Sequence, residues 1–350
     1  MVADAGLSAR IVREEKGMSR LSLQLAETAA KVNRFIEGVV DLQREPTLLY
    51  RAARHIIDAG GKRLRPYLVL KSCKLVGGRE EDAIPTAAAL ELLHTFTLIH
   101  DDIMDEDEKR RGISTVHTKW GLPTAIVTGD LLFAKVYETI TKFTDSRNVP
   151  PKRILQVLKD ISEATIAICE GQTLDMTFEQ RETVSEDEYF EMIRAKTATL
   201  FEVSAKCGGI LGGAKKRQVQ NLGRYGYYAG LAFQLIDDVL GLTADEKVLG
   251  KPVGSDVREG KRTLIVVHAL KHASEEQRRK ILETLGDRSA SAERIQETVD
   301  LISSLGSISY AEQRAEKYIE KSKIALSNLP STKDREDLIS LADLIFARKY

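Results

Sequence analysis

The stretch PTAAALELLHTFTLIHDDIMD, residues 85–105, decides the fold class. Pro85 sits where a helix can begin, and Leu90, Leu93 and Leu98 follow without a breaker as far as Asp105. A single long helix ending in an acidic cluster is the expectation. Residues four apart share a helix face, so Asp101 and Asp105 project together, and His94, seven residues earlier, shares that face. Upstream, Leu21, Leu25, Val32, Ile36 and Val39 recur at threes, fours and sevens and mark another helical stripe. Downstream, helical spacing continues near 123–143, 151–178, 186–206, 216–242, 262–272, 275–285, 291–303, 309–328 and 331–347, while strand-like alternation is hard to find. No linker, low-complexity tract or repeat divides the chain. The sequence reads as one all-α domain over residues 1–350, with residues 1–20 as a flexible N-terminal segment.

Charge narrows the functional classes. The 350 residues carry 52 Lys plus Arg against 52 Asp plus Glu, a balance that argues against bulk attraction to nucleic acid or an anionic membrane. A hydrophobic share of 43% with 30% charged residues fits a soluble globular protein with ample core material. No apolar run suits a membrane span or a secretory signal, and stable membrane insertion is not expected. Cys73, Cys169 and Cys207 are widely spaced and odd in number. They read as buried small hydrophobes in a reducing compartment, and the expected location is cytoplasmic.

A second acidic pair, Asp237 and Asp238, sits late in another helical stretch, AFQLIDDVLG. There Gly230, Gln234, Asp237 and Gly241 share one face, polar or small where a core helix would be large and apolar. An Asp pair taken alone is more often a solvated helix end. Carboxylates at a helix C-terminus also oppose the macrodipole, at roughly 0.3–1 kcal/mol each, so a cation should offset them. Mg²⁺ suits such sites, because it takes one or two carboxylates and fills its shell with phosphate and water. Cations lie close in sequence: Lys62, Arg63 and Arg65 in GGKRLRP, then Arg110, Arg111, Lys196, Lys251 and Lys261. Each alone is more often a surface charge. Together they fit a pair of phosphate ligands, one held through metal and one by protein cations alone.

The ordered set GGKRLRP, HTFTLIHDDIMDEDEKRRG, EGQTLD, RAKTATL, FQLIDDVLG and GKPVGSDVREGK resembles the trans-isoprenyl diphosphate synthases, most of all the archaeal-type geranylgeranyl enzymes. The resemblance covers roughly Leu49 to Leu270 and implies a bundle of long helices around a central cavity. It implies that Lys62, Arg65, His94 and Arg111 hold the diphosphate of isopentenyl diphosphate without metal. Asp101 and Asp105 would carry two Mg²⁺ ions and Asp237 a third, bridging to the allylic diphosphate. Arg110, Lys196, Lys251 and Lys261 would complete that diphosphate's cage, with Thr197 and Gln234 near the developing cation. Asp102, Gln172, Asp175 and Asp238 are expected to orient these groups. One departure stands out: Gly241 replaces the last Asp of the second DDxxD motif, leaving Asp237 to water and phosphate, with Asp256 nearby.

The implied reaction condenses isopentenyl diphosphate with an allylic diphosphate by Mg²⁺-assisted ionisation, with geranylgeranyl diphosphate (C20) as the expected product and farnesyl or longer chains as alternatives. Phe96, five residues before Asp101, is the family's chain-length position. Ideal geometry places it about 7.5 Å down the axis but roughly 140° around from Asp101, whereas Thr97 shares the Asp101 face. A terpene cyclase would not need Lys62, Arg65, His94 and Arg111. A non-catalytic regulatory subunit would be expected to lose acidic clusters or cage lysines. A homodimer is expected by analogy.

Overall fold

The computed structural model describes residues 2–144, 149–243 and 254–347, with side chains from residue 20 onward. Lys251, placed by the sequence in the allylic-diphosphate cage, lies outside the described residues. The protein is all-α, and among the described residues the two strands form a single hairpin. The chain forms two compact units: Met1–Lys159 with Ser204–Leu222 and Leu326–Leu344, and Asp160–Val203 with Gly223–Ala325 and Ile345–Tyr350.

The first unit is built on α1 (Val2–Val39), α2 (Thr47–Asp58), α3 (Leu64–Leu75), α4 (Glu80–Met104) and α6 (Leu122–Thr144), with a short α5 (Val116–Trp120) before the last. The stripe Leu21, Leu25, Val32, Ile36 and Val39 is buried along α1, and α1 begins at Val2, inside the segment expected to be flexible. Helix α4 is the spine, packed most extensively on α6 and then α3, with Leu90, Leu92, Leu93 and Ile99 fully buried. It starts earlier than Pro85 suggests. Glu80, Glu81 and Asp82 form its first turn, where carboxylates favour the positive end of the helix dipole. Pro85 falls in the second turn and removes only one backbone bond, so the helix continues through it.

The second unit holds most of α7 (Pro151–Glu179), α8 (Glu186–Ile193), the first residues of α9 (Thr199–Gly212) and most of α10 (Lys216–Thr243). Short α11 (Ser255–Glu259) follows, then α12 (Leu264–His272), α13 (Glu275–Thr284), α14 (Ala292–Ser304) and α15 (Ser307–Leu326); α16 (Lys333–Ala347) lies mainly in the first unit. Tyr189, Leu235, Leu264, Ile281, Ile302 and Ala315 are central to its core. Helix starts follow local chemistry. Ser185 with Glu188 and Ser274 with Gln277 form capping boxes that satisfy the first N–H groups of α8 and α13.

Two further expectations need correction. The segment 186–206 is not one regular helix: Arg194–Ala198 forms a π-helical turn between α8 and α9. Cys169 is exposed, unlike the buried Cys73 and Cys207, because it falls on an outward face of α7; all three thiols are free.

Candidate active site

In the first unit, the functional residues hang on α4 and on the loops beside it. Asp101 and Asp105 stand one turn apart where α4 ends, and the Asp105 amide donates to the Asp101 carbonyl at 2.8 Å as the helix cap. Both are half-buried. Asp102 points inward and is 1% exposed; burial pushes its carboxyl up to about 6, although Arg110 pulls the other way. Arg110 Nε donates to Asp102 Oδ1 at 2.5 Å, while Asp102 Oδ2 is buried without a hydrogen-bond partner.

Arg110 reaches that position from a hairpin, β1 (Lys109–Arg110) paired antiparallel with β2 (Ile113–Ser114). The turn residues Arg111 and Gly112 both have positive φ, 53° and 78°, as a two-residue hairpin turn with the twist of its strands requires. An arginine at the first of these places is strained, and its guanidinium donates to the carbonyls of Gly60 and Ile56. The hairpin tip is thereby bound to the loop that carries Lys62 and leads into α3, where Arg65 stands in the first turn.

His94 is half-buried, two turns before Asp101 on the same face of α4. Burial pushes its imidazole well below the usual range, and the guanidinium groups of Arg65, Arg111, Arg110 and Arg63 push it further. The ring is therefore held neutral beside guanidinium groups, of which Arg110 and Arg63 already face the carboxylates of Asp102 and Glu91. Lys62 is exposed and Arg65 half-buried beside it.

The chain-length candidates lie between His94 and Asp101 on α4. The Phe96 ring packs on His100, with centroids 4.8 Å apart, and on Phe133 of α6 at 5.4 Å; Phe133 in turn meets Tyr137 at 5.3 Å. Thr97 bonds back to the His94 carbonyl at 2.8 Å and is half-buried.

In the second unit, a cavity of about 120 Å³ is lined by Asp175, Lys196, Thr197, Gln234, Asp256 and Lys261, among others. The π-helical turn places Lys196 and Thr197 there, a wide turn of the kind that recurs at functional sites. Gly171 of α7 makes room for the turn: a Cβ on it would stand 2.3 Å from the Lys196 backbone nitrogen. Asp175 accepts from Lys196 Nζ at 2.6 Å and lies 3.5 Å from Lys261 Nζ, which also bonds Glu179 at 2.7 Å. Burial pushes the Asp175 carboxyl up, but the two lysines outweigh it and hold it below the usual range.

Across the cavity, Thr197 Oγ1 donates to Gln234 Oε1 at 2.7 Å, and Gln234 Nε2 donates to Asp238 Oδ1 at 2.8 Å. Tyr189 OH donates to the other Asp238 oxygen at 2.5 Å. Burial first, and Asp256 second, raise the Asp238 carboxyl to about 8. Tyr189 was not singled out by sequence, since it reads as an ordinary core aromatic in α8. Asp237 is half-buried beside Asp238 on α10. The Asp256 carboxylate lies directly against Gly241: a Cβ there would be 2.6 Å from Asp256 Oδ2.

These residues fit a hard divalent cation. In the first unit the donors are the carboxylates at the end of α4, where one buried Asp102 oxygen has no hydrogen-bond partner; in the second, burial first and the Asp256 carboxylate second push Asp238 up. Among the described residues no group of three His, Cys, Asp or Glu forms a closed cage.

Residues 46–302 match the polyprenyl synthetase family, and the chain belongs to that family. It is an enzyme, a transferase of prenyl groups. A geranylgeranyl diphosphate synthase of Sulfolobus acidocaldarius is 45% identical over 82% of this chain and 86% of its own. The crystal structure of a geranylgeranyl pyrophosphate synthetase from Pyrococcus horikoshii is 44% identical and superposes with a TM-score of 0.88, over 94% of this chain and 98% of that one. A polyprenyl synthase from Caulobacter crescentus, solved with calcium and isoprenyl diphosphate, is 32% identical with a TM-score of 0.86, over 95% and 98% of the two chains. The family uses isoprenyl diphosphate substrates and a divalent metal. No helix among the described residues is long and apolar enough to cross a membrane.

Proposed function

We propose that this chain is a geranylgeranyl diphosphate synthase that adds isopentenyl units to allylic diphosphates of up to fifteen carbons. The observation that carries the reading is the Arg111 guanidinium closed on the Gly60 carbonyl, beside Lys62 and Arg65 and close to His94. Together they make an anion site built from protein cations alone, which a synthase needs for isopentenyl diphosphate and a cyclase does not.

Lys62, Arg65, His94 and Arg111 hold the isopentenyl diphosphate. Asp101, Asp105 and Asp237 hold up to three Mg²⁺ ions, which when bound draw charge from the leaving diphosphate. Arg110, Lys196, Lys251 and Lys261 complete the allylic diphosphate's cage. Asp175 keeps Lys196 and Lys261 oriented before substrate arrives, through the ion pairs already described. Thr197 and Gln234 present oxygen dipoles to the allylic cation, and the Asp238 bond to Gln234 Nε2 fixes which way that amide faces. The isopentenyl double bond attacks the cation, and a proton is lost to the released pyrophosphate.

Phe96 and Thr97 set the chain length, and the aromatic ring of Phe96 supports a C20 limit. The chain works as one domain and as a homodimer; Leu122, Ile126 and Val127 of α6, each at least 43% exposed, supply apolar area for a second copy. Incubation with radiolabelled isopentenyl diphosphate and each of the C5, C10 and C15 primers tests the reading. Elongation stopping at C20 is the expected result. Cyclised hydrocarbon, or no incorporation at all, would overturn it.

A further inference from the structure

Arg63 sits between two residues assigned to the isopentenyl diphosphate site, yet it is only 3% exposed and has a left-handed backbone, φ 49°. Every nitrogen of its guanidinium makes a hydrogen bond. Nε donates to Asn33 Oδ1 at 2.9 Å, Nη1 to Glu91 Oε1 at 2.7 Å and to the Gly60 carbonyl at 3.1 Å, and Nη2 to the Ile57 carbonyl at 2.7 Å. One side chain thus ties α1, the end of α2, the glycine loop and α4 together. Its partner Glu91 is also 3% exposed.

Such an arrangement is a poor way to gain stability. A left-handed non-glycine residue is uncommon, and a desolvated ion pair roughly breaks even against a well-packed apolar pair. The placement suggests another purpose. Glu91 lies three residues before His94 on α4, and Arg63 is flanked by Lys62 and Arg65. The Gly60 carbonyl that Arg63 grips also accepts from Arg111, so both arginines close on one oxygen. A Cβ on Gly61 would stand 3.0 Å from nitrogens of both guanidinium groups, which shows how tightly the loop is held.

We propose that the buried Arg63–Glu91 pair is a positioning device that sets the isopentenyl diphosphate site, holding Lys62, Arg65 and Arg111 in register with His94. This rests on the reading of those four residues as that site. Neither Arg63 nor Glu91 touches the diphosphate. Arg63 acts through the left-handed turn it locks, and Glu91 acts through Arg63.

The double replacement Arg63→Met with Glu91→Met separates positioning from stability, because a paired apolar swap removes both charges together. The expected result is a melting temperature and an allylic KM close to the parent's, with the KM for isopentenyl diphosphate raised about tenfold or more. An unchanged KM for isopentenyl diphosphate in that folded variant overturns the proposal. Should it not fold, Asn33→Ala, which removes the single bond to Nε, carries the test. A rise in the isopentenyl diphosphate KM alone supports the proposal, and no rise overturns it. Lys62→Ala and Arg65→Ala distinguish the two layers. If they leave that KM unchanged, the substrate reading fails. If they raise it while the paired Met variant does not, only the positioning role fails.

Discussion

The carboxylate of Asp256, on a helix of five residues, occupies the space where a side chain at position 241 would begin: a Cβ on Gly241 would meet Asp256 Oδ2 at 2.6 Å. The Gly254 amide bonds the Gly241 carbonyl at 3.1 Å and fixes this approach. The glycine in the second acidic motif is therefore a steric requirement here.

Gly241→Asp, which would restore the family's common motif, is expected to lower both melting temperature and turnover. Overpacking of this kind typically costs about 1–3 kcal/mol, and a second carboxylate would add repulsion. Combining it with Asp256→Gly should recover stability. A single variant as stable and active as the parent would contradict the packing account.

Asp101→Ala is expected to reduce product formation by about a hundredfold to a thousandfold or more, the scale on which removing one preorganised electrostatic group is felt. The fold should survive, because Asp101 is only half-buried at the end of α4. Calorimetric titration should show weaker Mg²⁺ binding in the presence of a diphosphate. Parent-like turnover would remove Asp101 from the metal assignment.

Phe96→Ala is expected to lengthen the product, and chromatographic sizing of the prenyl alcohols after phosphatase treatment reads it directly. The ring closes the α4–α6 seam against Phe133, and its removal opens space along that wall. A product distribution still ending at C20 would mark Phe96 as ordinary packing.

The metal-free protein should lose stability as pH rises. Asp238, held at about 8, keeps its proton in the folded chain, whereas an unfolded carboxyl has released it above about pH 4. Folded protein then binds more protons than unfolded protein between those values, so stability falls across that window and levels off above it. Asp102, at about 6, adds to the fall only in its lower part. Asp238→Asn should therefore flatten the melting-temperature slope between about pH 6 and 8. Equal slopes in variant and parent would show that Asp238 is not protonated there.

What sequence alone determined is the helical architecture and the inventory of chemical groups. Helix formation is written in local periodicity and caps, which is why the stretches near 123–143, 151–178 and 216–242 fall within a residue or two of α6, α7 and α10. The acidic clusters were legible because carboxylates four apart share one helix face, whereas the roles expected of the lysines came from the resemblance of their motifs to a known family. Tertiary structure alone decided how those groups are held. Arg63 looked like one more surface cation until its contacts with Asn33, Ile57, Gly60 and Glu91 placed it in the interior. Tyr189 has no local mark that ties it to Asp238, forty-nine residues away. The π-helical turn at Lys196, the contact of Asp256 with Gly241 and the bridging of two lysines by Asp175 share that origin. Each depends on which distant backbone comes close, and burial and hydrogen bonding across such distances leave no period in the chain.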